Sequence, residues 1–387
     1  MSRRRVATSR IKDVEDPRVR AVQAAYLHAE CKLTQLEVAG ALRTSQPHVS
    51  RLLKLAMENG WLEKRLVLNR AALGEQLTEA LASLSDRNLV QVLASYAPQD
   101  EEVKVVDARV FPSAPALTER LGRFARAASG RVAELLADVE VVGVTWGATI
   151  ENVIANLDGI NVASPLRKQR VVTPLSGELL QGSEVQYSSS VLAHRLNRLL
   201  NGPTAEPSIS LTAIPAFVPN QNPKMQRALL EEIRMRDNYQ QVFGTAKSGG
   251  LVSRIDCVLT SIGPYEIPLG AKIFELMQAT RASHEDLRTL VSGDFAGTLL
   301  AKPGLDSRLR DKVESFNACW TGITLKQFKD VALRAHKDQR KPGNVVIAAG
   351  KEKASVLLEA VRRGLVNQVI VDQALANQLL VLCGAEK

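Results

Sequence analysis

The chain of 387 residues is 45% hydrophobic, 24% charged and 4% aromatic, which excludes a disordered chain and supplies the core of one large or two modest domains. No run approaches the ~18–20 consecutive apolar residues of a membrane helix, no apolar stretch follows the basic start Met1-Ser2-Arg3-Arg4-Arg5, and four scattered cysteines exclude a disulfide framework. A soluble, cytoplasmic, reduced protein is expected. The net charge of +9 is unevenly placed: residues 1–70 hold 14 Lys/Arg against 7 Asp/Glu, and the other 317 hold 36 against 34. A polyanion-binding module of about 70 residues on a near-neutral body of residues 71–387 accounts for that distribution.

In chain order, Asp16-Pro17 reads as an N-cap and first-turn proline, with Val19, Val22, Ala25 and Tyr26 at helical spacing behind them. Thr34 with Glu37 reads as a capping box opening a short helix whose apolar positions are Leu36, Val38, Ala39 and Leu42. After Arg43-Thr44, Ser45 reads as the N-cap of a third helix running to about Asn59-Gly60, with Val49, Leu52, Leu53 and Ala56 on its core face. This is a helix-turn-helix arrangement. Gln46, His48, Ser50, Arg51 and Lys54 remain outward, and these side chains suit base edges and phosphates. Together with Thr34, Gln35, Arg43 and Ser45 they form the candidate DNA-binding set. Trp61 to Leu68 is expected to form a wing strand, with Lys64 and Arg65 on phosphate.

A helix is expected over Ala71–Leu84, a strand over Leu89–Leu93, a second apolar segment over Val103–Phe111 and a helix over Leu117–Leu136. From there apolar runs alternate with helical patterns, which argues for an α/β domain with a mostly parallel sheet. Its clearest unit is the strand Glu140–Thr145, the loop Trp146–Thr149 and the helix Ile150–Leu157. The helix start and its threonine hydroxyls would form an anion site there. Further strands are expected at Arg170–Pro174, Ser210–Ile214, Ile255–Ile262, Val345–Ala349 and Gln368–Val371. Ser176-Gly177, Gly263 and Gly350 stand at strand ends where a ligand could sit. Lys351 and Lys353 open the helix that runs to Arg363-Gly364, where cations oppose the helix dipole unless an anion binds.

Catalytic signals are sparse. The five histidines show no H-E-x-x-H grouping and the cysteines no C-x-x-C, so no metal or other cofactor is expected. Asp256, at a strand start, and Asp294, read as a loop residue, are the aspartates that could act on a sugar.

The order of these motifs resembles the SorC/DeoR-type sugar-binding transcriptional regulators of bacteria. The resemblance runs through Leu33–Ala39 and Val49–Leu53, then Val142–Thr149, Ile255-Asp256 through Ile262-Gly263 and Gly293-Asp294. It closes with Ala348–Ala354 and Val371-Asp372. It implies an effector domain with the fold of ribose-5-phosphate isomerase and glucosamine-6-phosphate deaminase, behind a winged helix-turn-helix domain. It also implies a sugar or phosphorylated sugar as effector, double-stranded operator DNA as partner, and a homodimer or homotetramer. The effector contacts it implies are the phosphate loop Thr145, Trp146, Gly147, Ala148 and Thr149 and the helix-start Lys353. The strand-end glycines Gly177 and Gly263 and the aspartate Asp294, read above from the residues, complete the candidate effector-binding set. Ala148 stands where arginine is often found, and Glu178 where a second glycine is common. The expected function is ligand-controlled DNA binding without enzyme activity. The alternatives are a sugar-phosphate isomerase or deaminase with an appended DNA-binding module, and a nucleoid-type protein without an effector.

Overall fold

The computed structural model describes residues 16–63, 81, 84–114, 117–157, 169–179, 185–245, 247–265 and 271–384. Lys64, Arg65 and most of the helix expected over Ala71–Leu84 lie outside them. The chain divides into two compact units, Met1–Leu84 and Ser85–Lys387.

In the first unit α1 (Pro17–Ala25) starts where Asp16 accepts the Arg18 N–H, and it runs into one π-helical turn, Tyr26–Glu30. α2 (Gln35–Ala41) has the expected capping box. Thr34 Oγ1 accepts from the Glu37 N–H at 3.3 Å, and Glu37 Oε2 accepts from the Thr34 N–H at 2.8 Å. α3 (Gln46–Glu58) buries Val49, Leu52, Leu53 and Ala56, the four positions expected from its periodicity. One local expectation fails and another holds in position only. Leu36 is 69% exposed, because a seven-residue helix buries only one narrow stripe, here Val38 and Ala39. Ser45 occupies the N-cap position of α3, but its side chain makes no capping hydrogen bond. Thr34→Ala should therefore cost the unit about 1 kcal/mol, read as a lower unfolding midpoint in denaturant, whereas Ser45→Ala should cost much less.

The second unit is built on a six-stranded, wholly parallel sheet. Its strands are β1 (Asp107–Phe111), β2 (Val141–Val144), β3 (Val171–Pro174), β4 (Cys257–Thr260), β8 (Gly343–Ala348) and β9 (Gln368–Asp372). They lie in the order β1-β9-β8-β4-β2-β3. The central strands read as unbroken apolar runs because both faces are covered. A second sheet of three antiparallel strands joins β5 (Ile262–Pro264), β6 (Val291–Phe295) and β7 (Thr298–Ala301). Among the described residues no helix is long and apolar enough to cross a membrane.

Three sequence expectations for this unit need correction. Leu89–Leu93 is not a strand but lies in a helix, Arg87–Tyr96. Asp86 caps it through the Leu89 N–H at 2.9 Å, and Leu89 and Leu93, one turn apart, fill its buried face. A short run such as Leu-Val-Gln-Val-Leu fits either period, and here the cap decides. Ser210–Ile214 forms no strand. The run Ile255–Ile262 divides at Ser261 between β4 and β5, which belong to different sheets.

Asp256 also proves to be a structural group. Its Oδ2 accepts the N–H groups of Glu140 and Val141 at 2.9 and 3.0 Å, and Lys341 Nζ lies 3.1 Å from Oδ1. These contacts pin the amino ends of β2, β4 and β8, at the sheet edge opposite the one where a ligand would sit.

Candidate functional site

The chain's path through the parallel sheet fixes where a crevice opens. From β2 it moves outward to β3, and from β4 it moves the other way through β8 to β9. Connections on the two sides diverge, so the carboxyl ends of β2 and β4 form the switch-point crevice that α/β sheets use for ligands.

Thr145 lies at the floor of that crevice. Its N–H donates to the Leu259 carbonyl at 3.1 Å, and its buried hydroxyl is 3.3 Å from both Leu259 O and Thr260 Oγ1. This hydroxyl ties β2 to β4, contrary to the expectation of an outward donor. The indole N–H of Trp146 donates to the Ala296 carbonyl at 3.1 Å. Its ring centre lies 5.8 Å from that of Trp320, which in turn lies 5.2 Å from Phe217. Gly147 donates its N–H to the Tyr187 carbonyl at 3.0 Å, and the helix Ala148–Leu157 begins there. Thr149 is buried and Ala148 half-buried. The first-turn N–H groups of this helix have no intrahelical acceptor by geometry, and they carry the positive end of its dipole.

The other strand-end residues have differing roles. Gly177 permits a close approach of main chains. A Cβ there would stand 2.5 Å from the Ile214 carbonyl and 2.8 Å from Thr321 Oγ1, while the Glu178 N–H donates to Ile214 O at 2.7 Å. Asp294 is a buried residue of β6, not a loop residue, and pairs across the sheet with Gly263, where a Cβ would collide with its carboxylate. Its Oδ1 accepts the Gly297 N–H at 2.8 Å. It thereby shapes the turn that presents the Ala296 carbonyl to Trp146.

Lys353 ends a single 3₁₀ turn, Lys351–Lys353, at the start of the helix Ala354–Arg362. Val356 of that helix packs on Gly293, beside Asp294. The loop before it is held by Asp372, whose Oδ1 accepts from the N–H groups of Gly350 and Leu375 at 2.9 and 3.1 Å. Ser113 Oγ donates to Asp372 Oδ2 at 2.7 Å. Glu352, between the two lysines, pairs with Arg120 at 3.1 Å. Trp320 has no counterpart among the residues that the sequence singles out. In a chain with three tryptophans, a second one beside a Thr-Gly pair was the available signal.

In the first unit the α3 residues Gln46, Ser50, Arg51 and Lys54 are exposed and His48 is half-buried. Lys54 lies 3.8 Å from Glu58, an exposed pair worth little. Arg43 holds the turn between α2 and α3 in the left-handed region, at φ 49°, with its side chain exposed. Thr34 is engaged with Glu37, and Gln35 is half-buried. Two other basic residues are used internally: Arg20 Nη1 donates to the Leu42 carbonyl at 2.7 Å, and the Arg18 guanidinium lies 5.8 Å from the centre of the Trp61 ring.

Residues 100–381 match the family described as "Putative sugar-binding domain". Over 140 residues the chain is 26% identical to the deoxyribonucleoside regulator of Bacillus subtilis, a match that spans 35% of this chain and 38% of that relative's length. The full-length sorbitol operon regulator SorC from Klebsiella pneumoniae shares the fold with a TM-score of 0.53 at 21% identity, over 94% of this chain and 99% of that one. A DeoR family transcriptional regulator from Listeria monocytogenes matches with a TM-score of 0.53 at 17% identity, over 76% of this chain and 98% of the other. The chain thus has the fold of the SorC and DeoR regulators and belongs, through residues 100–381, to this sugar-binding domain family.

Proposed function

We propose that the protein is a DNA-binding transcriptional regulator whose operator affinity is set by a sugar or sugar-phosphate effector. One observation carries this reading. A sugar-binding family domain over residues 100–381 shares its chain with a separate helix-turn-helix unit, whose α3 presents Gln46, Ser50, Arg51 and Lys54 to solvent. The switch-point loop Thr145–Thr149, Gly177, Gly263, Asp294 and Lys353 make up the effector site. The helix start at Ala148 and Lys353 take the anionic part of the ligand. Gly177 and Asp294 act by shaping the walls.

In this reading the effector domain has the ribose-5-phosphate isomerase and glucosamine-6-phosphate deaminase type of fold, and Lys64 and Arg65 belong to a wing. The protein works in the cytoplasm as a homodimer or homotetramer. Two helix-turn-helix units then read half-sites separated by one or more helical turns of roughly 34 Å each. The effector acts by binding one arrangement of the oligomer more tightly than another, because equal affinity for both would shift nothing.

The test is a thermal-shift screen of the full chain against sugars and sugar phosphates, with a parallel selection of bound sequences from random duplex DNA. A ligand that binds only the native state raises the midpoint, and a regulator enriches one sequence with two related halves. Equal affinity for all DNA would instead favour a nucleoid-type protein. Turnover of ribose 5-phosphate or glucosamine 6-phosphate would restore the enzyme alternative.

A further inference from the structure

The carboxyl end of β3 leaves two polar groups without partners at the edge of the crevice. Ser176 is 1% exposed and its Oγ has no hydrogen-bond partner. Glu178 Oε1 is also enclosed and unpartnered. The main-chain N–H and carbonyl of Glu178 are already paired. Glu178 donates its N–H to Ile214 O and accepts from the Ala216 N–H, each at 2.7 Å, and Thr321 Oγ1 donates to Pro215 O at 2.6 Å. Enclosed polar atoms left in this state cost stability, so two of them flanking one glycine call for a ligand or a buried water.

Their position ties them to the switch-point loop. Leu175, just before Ser176, donates its N–H to the Val144 carbonyl at 3.0 Å and accepts from the Ile323 N–H at 2.8 Å. Ile323 O in turn receives the indole N–H of Trp320, the ring beside Trp146. A carboxylate oxygen only accepts hydrogen bonds, whereas a hydroxyl both gives and takes. The missing partner is therefore rich in donors and uncharged or cationic at this end, since a second anion would be repelled by Glu178.

We propose that Ser176 and Glu178 bind adjacent hydroxyl groups of the effector. The ligand is then a polyhydroxylated sugar whose phosphate, where it has one, lies away from Glu178 toward the start of the helix Ala148–Leu157. This rests on the sugar-sensing reading above and adds the direction in which the ligand lies. Glu178 becomes a specificity residue that selects hydroxyls over anionic groups at one end of the site.

Full-length wild type, Ser176→Ala, Glu178→Ala and Glu178→Gln are to be compared by calorimetric titration with ribose, ribose 5-phosphate, glucosamine and glucosamine 6-phosphate. The ligand-free unfolding midpoint of each is measured alongside. For the probe that wild type binds best, the alanine variants should each weaken binding about tenfold or more, and Glu178→Gln, which keeps an acceptor, should recover part of it. The ligand-free midpoint of Ser176→Ala should hold or rise, because an unpaired buried hydroxyl is removed. Wild-type affinity in both alanine variants overturns the proposal, as does a fall in the ligand-free midpoint that accompanies the loss of binding. A wild type that binds none of the four probes overturns the sugar-sensing reading itself, and this inference with it.

Discussion

Asp372→Ala should destabilise the second unit by about 3–5 kcal/mol, the largest stability effect expected of any single substitution considered for this chain. The carboxylate is fully buried (0% exposed) and accepts three hydrogen bonds, from the Gly350 N–H, the Leu375 N–H and Ser113 Oγ. Each donor left without an acceptor away from water costs about 1–3 kcal/mol, partly recovered where the chain relaxes. The loss also falls at the loop before Lys353, in the proposed effector site. Gly350 precedes the turn that carries Lys353, so loosening it should weaken effector binding by more than the fall in stability alone explains. Asp372→Asn keeps the Oδ1 cap and should retain most of the stability. Denaturant unfolding of wild type and both variants measures this, and an alanine variant within about 1 kcal/mol of wild type would contradict the assignment.

Arg51→Ala should weaken binding to the selected DNA by about 1–3 kcal/mol, roughly five- to 150-fold, with no change in the stability of α3. Arg51 is exposed on the face opposite Val49, Leu52, Leu53 and Ala56 and makes no ion pair among the described residues, so nothing internal is lost with it. The form of the loss identifies its role. If Arg51 reads a guanine, discrimination relaxes at one base position and the salt dependence changes little. A phosphate contact would instead weaken binding to all sequences evenly and reduce the salt slope by about one. Lys54→Ala is expected to follow that second pattern and makes the internal comparison. Titration of labelled duplexes at several fixed salt concentrations resolves the two.

The first unit was the more legible part of the sequence, because short helices announce themselves through local chemistry. Asp16-Pro17, the Thr34–Glu37 box and the periodicity of Val49, Leu52, Leu53 and Ala56 all act within one or two turns. Leu36 was misplaced because a hydrophobic residue in a very short helix carries no information about which side is covered. Parallel strands such as Val141–Val144 and Gly343–Ala348 were legible as apolar runs. The β6–β7 hairpin was not: Val-Ser-Gly-Asp-Phe mixes small and charged residues whose burial depends on partners far away in sequence, Gly263 and Val356 among them.

For the candidate site the sequence marks strand-end positions but not what each residue does in the fold. Thr145 and Gly177 lie around the crevice, yet both are committed to holding strands together. Asp256, a plausible sugar contact in sequence, sits at the opposite edge of the sheet because its strand is entered there. Ser176 Oγ and Glu178 Oε1 are among the enclosed polar atoms left open, and no local sequence signal marks them. The charge distribution narrows in the same way. Arg18 and Arg20 serve the first unit's own packing, which leaves Lys32, Arg43, Arg51 and Lys54 as the other exposed cations among its described residues.

The proposed function requires that effector binding and DNA binding be coupled within one chain. The direct measurement is the dissociation constant of the full-length protein for its selected DNA, at fixed salt, with and without a saturating amount of the sugar or sugar phosphate that most raises its unfolding midpoint. A change of about fivefold or more, in either direction, is predicted, which is the lower end of ordinary coupling between two sites. Identical affinity with and without that bound ligand would contradict the claim that this protein is an effector-controlled regulator.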